Sequence, residues 1–181
     1  MSARSLPRRG VAAARSGAPL ASAGSRPVAV EVVLLRALPQ LGYRVVRGAP
    51  LAAEAPDAAA VRLAGLPPQA ARRADLVVHS TSWRYDSAGQ VVLTYAVAPD
   101  PCPQLPAAAV DVSAVARGTG PARPSPTCVR AGDVAAHAVR HLAFLARHDV
   151  QVRCALEGIA DFTQAWPSWE PDVAGEMRAT G

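Results

Sequence analysis

The chain reads as an α+β domain: a small antiparallel sheet built on a β-hairpin at about 76–98, packed against C-terminal helices at about 133–157. Three observations predict it. Two β-rich runs flank Asp86-Ser87-Ala88-Gly89 in "DLVVHSTSWRYDSAGQVVLTYAVAPDP". A sustained helical pattern, "VAAHAVRHLAFLARHD", follows from Val134 to Asp149. Half of the 181 residues are hydrophobic, enough for one domain with a core and short for two.

Residues 1–24 form an Arg/Ala/Ser-rich leader that is expected to be disordered, ahead of a single domain at 25–178. Residues 1–26 carry Arg4, Arg8, Arg9, Arg15 and Arg26 and no acid. The other 155 residues balance 14 arginines against 14 acids, so the net charge of +5 resides in residues 1–26. Nucleic acid or anionic lipid would be met through that segment alone. All 19 basic residues are arginine and 40 residues are alanine, which reads as the coding bias of a GC-rich, bacterial-type genome rather than selection for phosphate.

From Ser25 the spacing of Val30, Val33, Leu34 and Leu38 predicts a helix that stops at Gly42, with a strand over 28–35 as the rival because of the β-branched valines. A short strand, Tyr43–Val46, follows. Asp57–Ala64 reads as a short helix between proline-bearing loops. In the hairpin, aspartate opening the turn and glycine in fourth place suit a type I turn with a left-handed glycine. Strict alternation then pairs Tyr85 with Val91, Trp83 with Leu93, Thr81 with Tyr95 and His79 with Val97. That puts His79, Thr81, Trp83, Tyr85 and Tyr95 on one core-facing side, and Ser80, Ser82, Arg84 and Thr94 on a water-facing side.

Seven prolines at 99–127 mark a long irregular connection with a short strand at Val110–Val112. Gly132-Asp133 caps the next helix. Asp149 caps a second, through Leu156, stopped by Gly158. Trp166 and Trp169 fold back over the core. Cys102, Cys128 and Cys154 lack any CxxC spacing and read as reduced thiols, with Cys154 packed on its helix. No apolar run approaches a membrane span, and the chain is expected to be cytoplasmic and without membrane contact.

Two function classes follow. The leading one is non-enzymatic binding of a small ligand or a protein partner, with Trp83, Arg84, Tyr85 and Tyr95 near the contact surface and no cofactor. The alternative is a metal- or histidine-dependent hydrolase, with zinc as cofactor, using His79, His137 and His141, and Thr81 beside them. His137 and His141 are four apart on one helix face, so both can reach one ion. The stretch His79-Ser80-Thr81-Ser82-Trp83 resembles one half of the paired motif of the two-histidine phosphoesterases. None of His137, His141 and His148 is followed two places on by Ser or Thr, so the other half is missing. There is no G-x-S-x-G, no phosphate-cradling glycine loop and no HExxH.

Overall fold

A computed structural model describes residues 28–171 apart from 38, 114–115, 121 and 123–125. The leader at 1–24 and the end of the Trp-bearing tail lie outside the described residues, as does Leu38. The fold is α+β, a five-stranded sheet with helices on both faces.

The opening segment is a strand, β1 (Val28–Arg36), and not the helix that its apolar spacing predicts. Every residue from Ala29 to Leu35 is buried. A strand covered on both faces loses its polar alternation, so its apolar residues fit a helical template equally well, and β-branching then decides. Gly42 is accordingly no helix stop. It begins β2 (Gly42–Gly48), which runs antiparallel to β1 and extends the expected strand at both ends.

From β2 the chain crosses one face of the sheet as α1 (Pro56–Leu63) and a 3₁₀ turn (Pro68–Arg72), then enters β3 (Val77–Tyr85). β3 turns into β4 (Val91–Ala98), which lies antiparallel to β3 and parallel to β1. The sheet order is β3-β4-β1-β2-β5, so the sheet is mixed rather than antiparallel as expected, and the hairpin forms one end of it. The turn is as expected: Gly89 has φ of 74° and its N–H donates to the Asp86 carbonyl at 2.9 Å.

The proline-rich connection is tied down at its start. Arg44 forms a bidentate pair with the buried Asp100 carboxylate, and the Arg36 guanidinium donates to the carbonyls of Pro103 and Leu105. The strand expected at Val110–Val112 falls instead at β5 (Ala108–Ala109), paired with Gly42 and Tyr43 of β2.

α2 (Ala131–His148) then crosses the opposite sheet face. Asp133 accepts from the Arg130 N–H at 2.8 Å, satisfying a donor at the helix entrance. Asp149 caps α3 (Val150–Gly158) by accepting from Gln151 and Val152. Cys154 lies on α3 but is exposed, against the expectation that it packs inward. Trp169 is buried edge-on against Phe162, so the tail closes this layer as expected. Val33, Leu35 and Ala96 look toward α2, whereas Val30, Val32, Leu34 and Val97 look toward α1.

Leu142 of α2 is fully buried in the larger core. Leu142→Ala is expected to lower stability by about 3 kcal/mol, read as a reduced urea midpoint with little change in slope.

Candidate functional site

The site residues are distributed by one irregularity in β3. Tyr85 pairs with Val91 and Trp83 with Leu93, as alternation predicts. The register then shifts: Ser82 faces Thr94, Ser80 faces Tyr95 and His79 faces Ala96, leaving Thr81 as the extra residue of a bulge. An inserted residue reverses the side to which everything beyond it points. His79 therefore looks toward α2, while Trp83 and Tyr85 look toward the α1 side. The single face expected to hold all of them does not exist.

Nor do the aromatics face a core. Trp83 is 63% exposed and Tyr85 57%, in edge-on contact with ring centroids 5.7 Å apart. On the α1 side of the sheet Tyr85 is in line with Val91 and Val28, and Trp83 with Leu93 and Val30. α1 covers the neighbouring rows instead. There Tyr95 is buried and donates to Asp57 at 2.5 Å. Burial, and then the Asp57 carboxylate, push the Tyr95 phenol well above its ordinary range, which keeps it a donor. An open groove of about 520 Å³ lies here, lined by Asp57, Ala58, Val61, Pro68, Val78, His79, Ser80 and Tyr95.

The side expected to face water is largely buried, because α2 gives the sheet a second covered face. Thr94, Val92 and Ala96 are buried. Arg84 is not an available anion hook: its guanidinium holds both Glu31 carboxylate oxygens, at 2.8 and 2.9 Å, and donates to Thr94 Oγ1 at 3.1 Å. Glu31 is the residue that sequence reasoning passed over. The signal was a lone acid inside "VAVEVVLLR", where a buried charge needs a partner from elsewhere in the sheet.

On the α2 side, the structure brings three histidine rings into contact. His79 and His137 each stand 5.9 Å, centroid to centroid, from His141. Phe144 and His148 continue the row along α2. His79 Nδ1 is 2.7 Å from the Ser80 carbonyl, and His137 Nε2 is 3.4 Å from that of Thr81. The buried Nδ1 of His141 has no hydrogen-bond partner. Burial first, then the neighbouring His137 and His79, lower the His141 pKa from 6.5 to about 4. The Thr81 hydroxyl is buried and directed at the Thr94 carbonyl, which removes it from the histidines as a nucleophile. Among the described residues, no group of three or more His, Cys, Asp and Glu stands arranged to hold a metal ion.

In comparison with known proteins, the chain matches no family model, no curated protein and no solved structure.

Two outcomes follow from this geometry. Arg84→Ala strands the Glu31 carboxylate, which is 7% exposed, and is expected to cost about 3 kcal/mol in urea unfolding. The double variant Glu31→Val, Arg84→Leu should recover most of that loss. Because the folded protein resists protonating His141 while the unfolded chain does not, stability is retained above pH 6.5 and falls as pH drops from 6.5 to 4. With solvent screening of a partly covered ring, the loss is about 1 kcal/mol. His141→Phe should flatten the fall in melting temperature between pH 7.5 and 4.5.

Proposed function

We propose that this domain is a non-enzymatic binding module that takes up an extended segment of a protein partner along β3, anchored by Trp83 and Tyr85. The observation that carries the reading is the exposed, edge-on aromatic pair on the terminal strand of the sheet. A terminal strand offers backbone donors and acceptors to an added strand, and aromatics are the residues most often used as anchors at interfaces. Tyr95 supports the reading indirectly, as the floor of the groove that continues the same face. Arg84 is excluded from the contact by its engagement with Glu31.

A protein segment fits better than a small molecule. The groove is open rather than enclosed, and its strongest polar groups, Tyr95 and Asp57, are already bonded to each other. Hydrolysis is the weaker reading, since the Thr81 hydroxyl is directed at the Thr94 carbonyl rather than at the histidines. Among the described residues no helix is long and apolar enough to cross a membrane. We assign the module to a reducing compartment such as the cytoplasm, which its free Cys102, Cys128 and Cys154 favour.

The test is selection of displayed peptides on the full-length protein, with Trp83→Ala as counter-target. Enriched peptides should carry apolar residues at alternate positions and bind with micromolar affinity. Trp83→Ala should weaken them at least tenfold while Leu142 packing and the melting temperature are unchanged. Equal enrichment on both proteins, or none on either, would sink the reading.

A further inference from the structure

We infer that the segment taken up along β3 carries a basic residue, arginine or lysine, whose charge seats in the groove beside Asp57. This rests on the peptide-binding reading and adds to it the chemistry and the register of the partner.

From Val28 to Asp100 the acids are Glu31, Glu54, Asp57, Asp75, Asp86 and Asp100. All but one hold an arginine: Glu31 holds Arg84, Glu54 holds Arg62, Asp75 holds Arg73, Asp86 holds Arg47 and Asp100 holds Arg44. Asp57 is the exception. Among the described residues its side-chain partner is the Tyr95 hydroxyl, which donates to Oδ1 at 2.5 Å. A carboxylate offers about four lone-pair positions, so this one bond holds the group in place and leaves Oδ2 to accept from a cation. A negative charge in the first turn of α1 is favourable by itself, and its surroundings are what single it out. The walls beside it are Ala58, Val61, Pro68 and Val78, all apolar. A carboxylate above apolar walls suits a side chain with a hydrocarbon stem and a positive head.

The groove, of about 520 Å³, continues the face that carries Trp83 and Tyr85. Ser80 lies opposite Tyr95 and is exposed, with a side chain too short to close the way from the edge of β3 to Asp57. From Trp83 to Ser80 is about 10 Å along the strand, at about 3.3 Å per residue. On an added strand, the residue two places beyond the one facing Trp83 shares its face and covers about 7 Å of that distance. The stem of arginine or lysine spans what is left, its methylenes against Val61, Pro68 and Val78. Only this side chain crosses the bulge, so backbone pairing stays within Ser82–Tyr85. The opposite charges fix the register and turn away acidic segments.

The experiment selects a library of random displayed peptides on the full-length protein, on Trp83→Ala and on Asp57→Lys. Peptides that bind the parent and are lost on Trp83→Ala should carry arginine or lysine at a fixed place beyond the alternating apolar residues. Selection on Asp57→Lys should put aspartate or glutamate at that place. A synthetic copy of one enriched peptide is then titrated by calorimetry. Asp57→Asn, which keeps an acceptor for Tyr95, and exchange of the basic residue for glutamine should each weaken binding about fivefold. The two losses should not add. If circular dichroism shows the Asp57 variants unfolded, Ser80→Lys carries the test: it should weaken the basic peptide and leave its glutamine version unchanged. Trp83-dependent peptides without a basic residue, or losses that add, would overturn the inference and leave the peptide-binding reading standing. No Trp83-dependent peptide at all would take both down. So would a parent dimer that Trp83→Ala makes monomeric, which would give this edge to a second copy of the chain.

Discussion

The ion pair between Glu31 and Arg84 sets the course of β3 across the whole sheet end. β1 is covered on both faces, so a charge on it must be answered from within the sheet. The answer comes from two strands away, across β4, with Thr94 between the partners. Arg84 is thereby committed to the α2 side of the sheet. Val77, seven residues earlier on the same strand, is committed to that side too, because it belongs to the core under α2. An odd separation cannot put two residues of a regular strand on one face. The register shift between Ser80 and Ser82 resolves the conflict. The bulge is therefore the geometric consequence of a charge and a core that both have to be satisfied.

What looks like site design follows from that resolution. Before the bulge, β3 sends His79 toward α2, where His137 and His141 meet it. After the bulge, it sends Trp83 and Tyr85 toward the α1 side, beyond the reach of α1. A continuous strand would have placed histidines and aromatics together, as an aromatic-walled imidazole pocket with quite different chemistry. Two separate surfaces, one of nitrogen donors and one of exposed rings, exist because Thr81 is unpaired.

The sequence showed the hairpin and the two C-terminal helices because their signals are local. Asp86 and Gly89 fix a turn without reference to the rest of the chain, and Asp149 caps a helix by itself. β1 was obscured because its partner layers are distant in sequence, and periodicity cannot distinguish a strand buried on both faces from a buried helix. The i, i+4 spacing suggested that His137 and His141 lie together on α2; the side to which His79 points was not legible, because the bulge reverses the face on which the hairpin pattern placed it. The exposure of Trp83 and the engagement of Arg84 were not foreseeable, since no glycine marks the bulge. The clue lay elsewhere, in the isolated Glu31.

The bulge also limits what β3 can offer as a terminal strand. Terminal strands are commonly guarded by proline, by free charges or by irregularity, all of which discourage pairing with another chain. β3 contains no proline, and its one arginine is turned inward to Glu31. Only the irregularity at Thr81 remains, and it interrupts the edge locally. The regular segment after it, Ser82–Tyr85, is the part that carries both exposed rings. An added strand in register with those four residues would bury Trp83 and Tyr85 without meeting the distortion, so recognition of the kind proposed would be short, and its specificity would fall on the two aromatic positions.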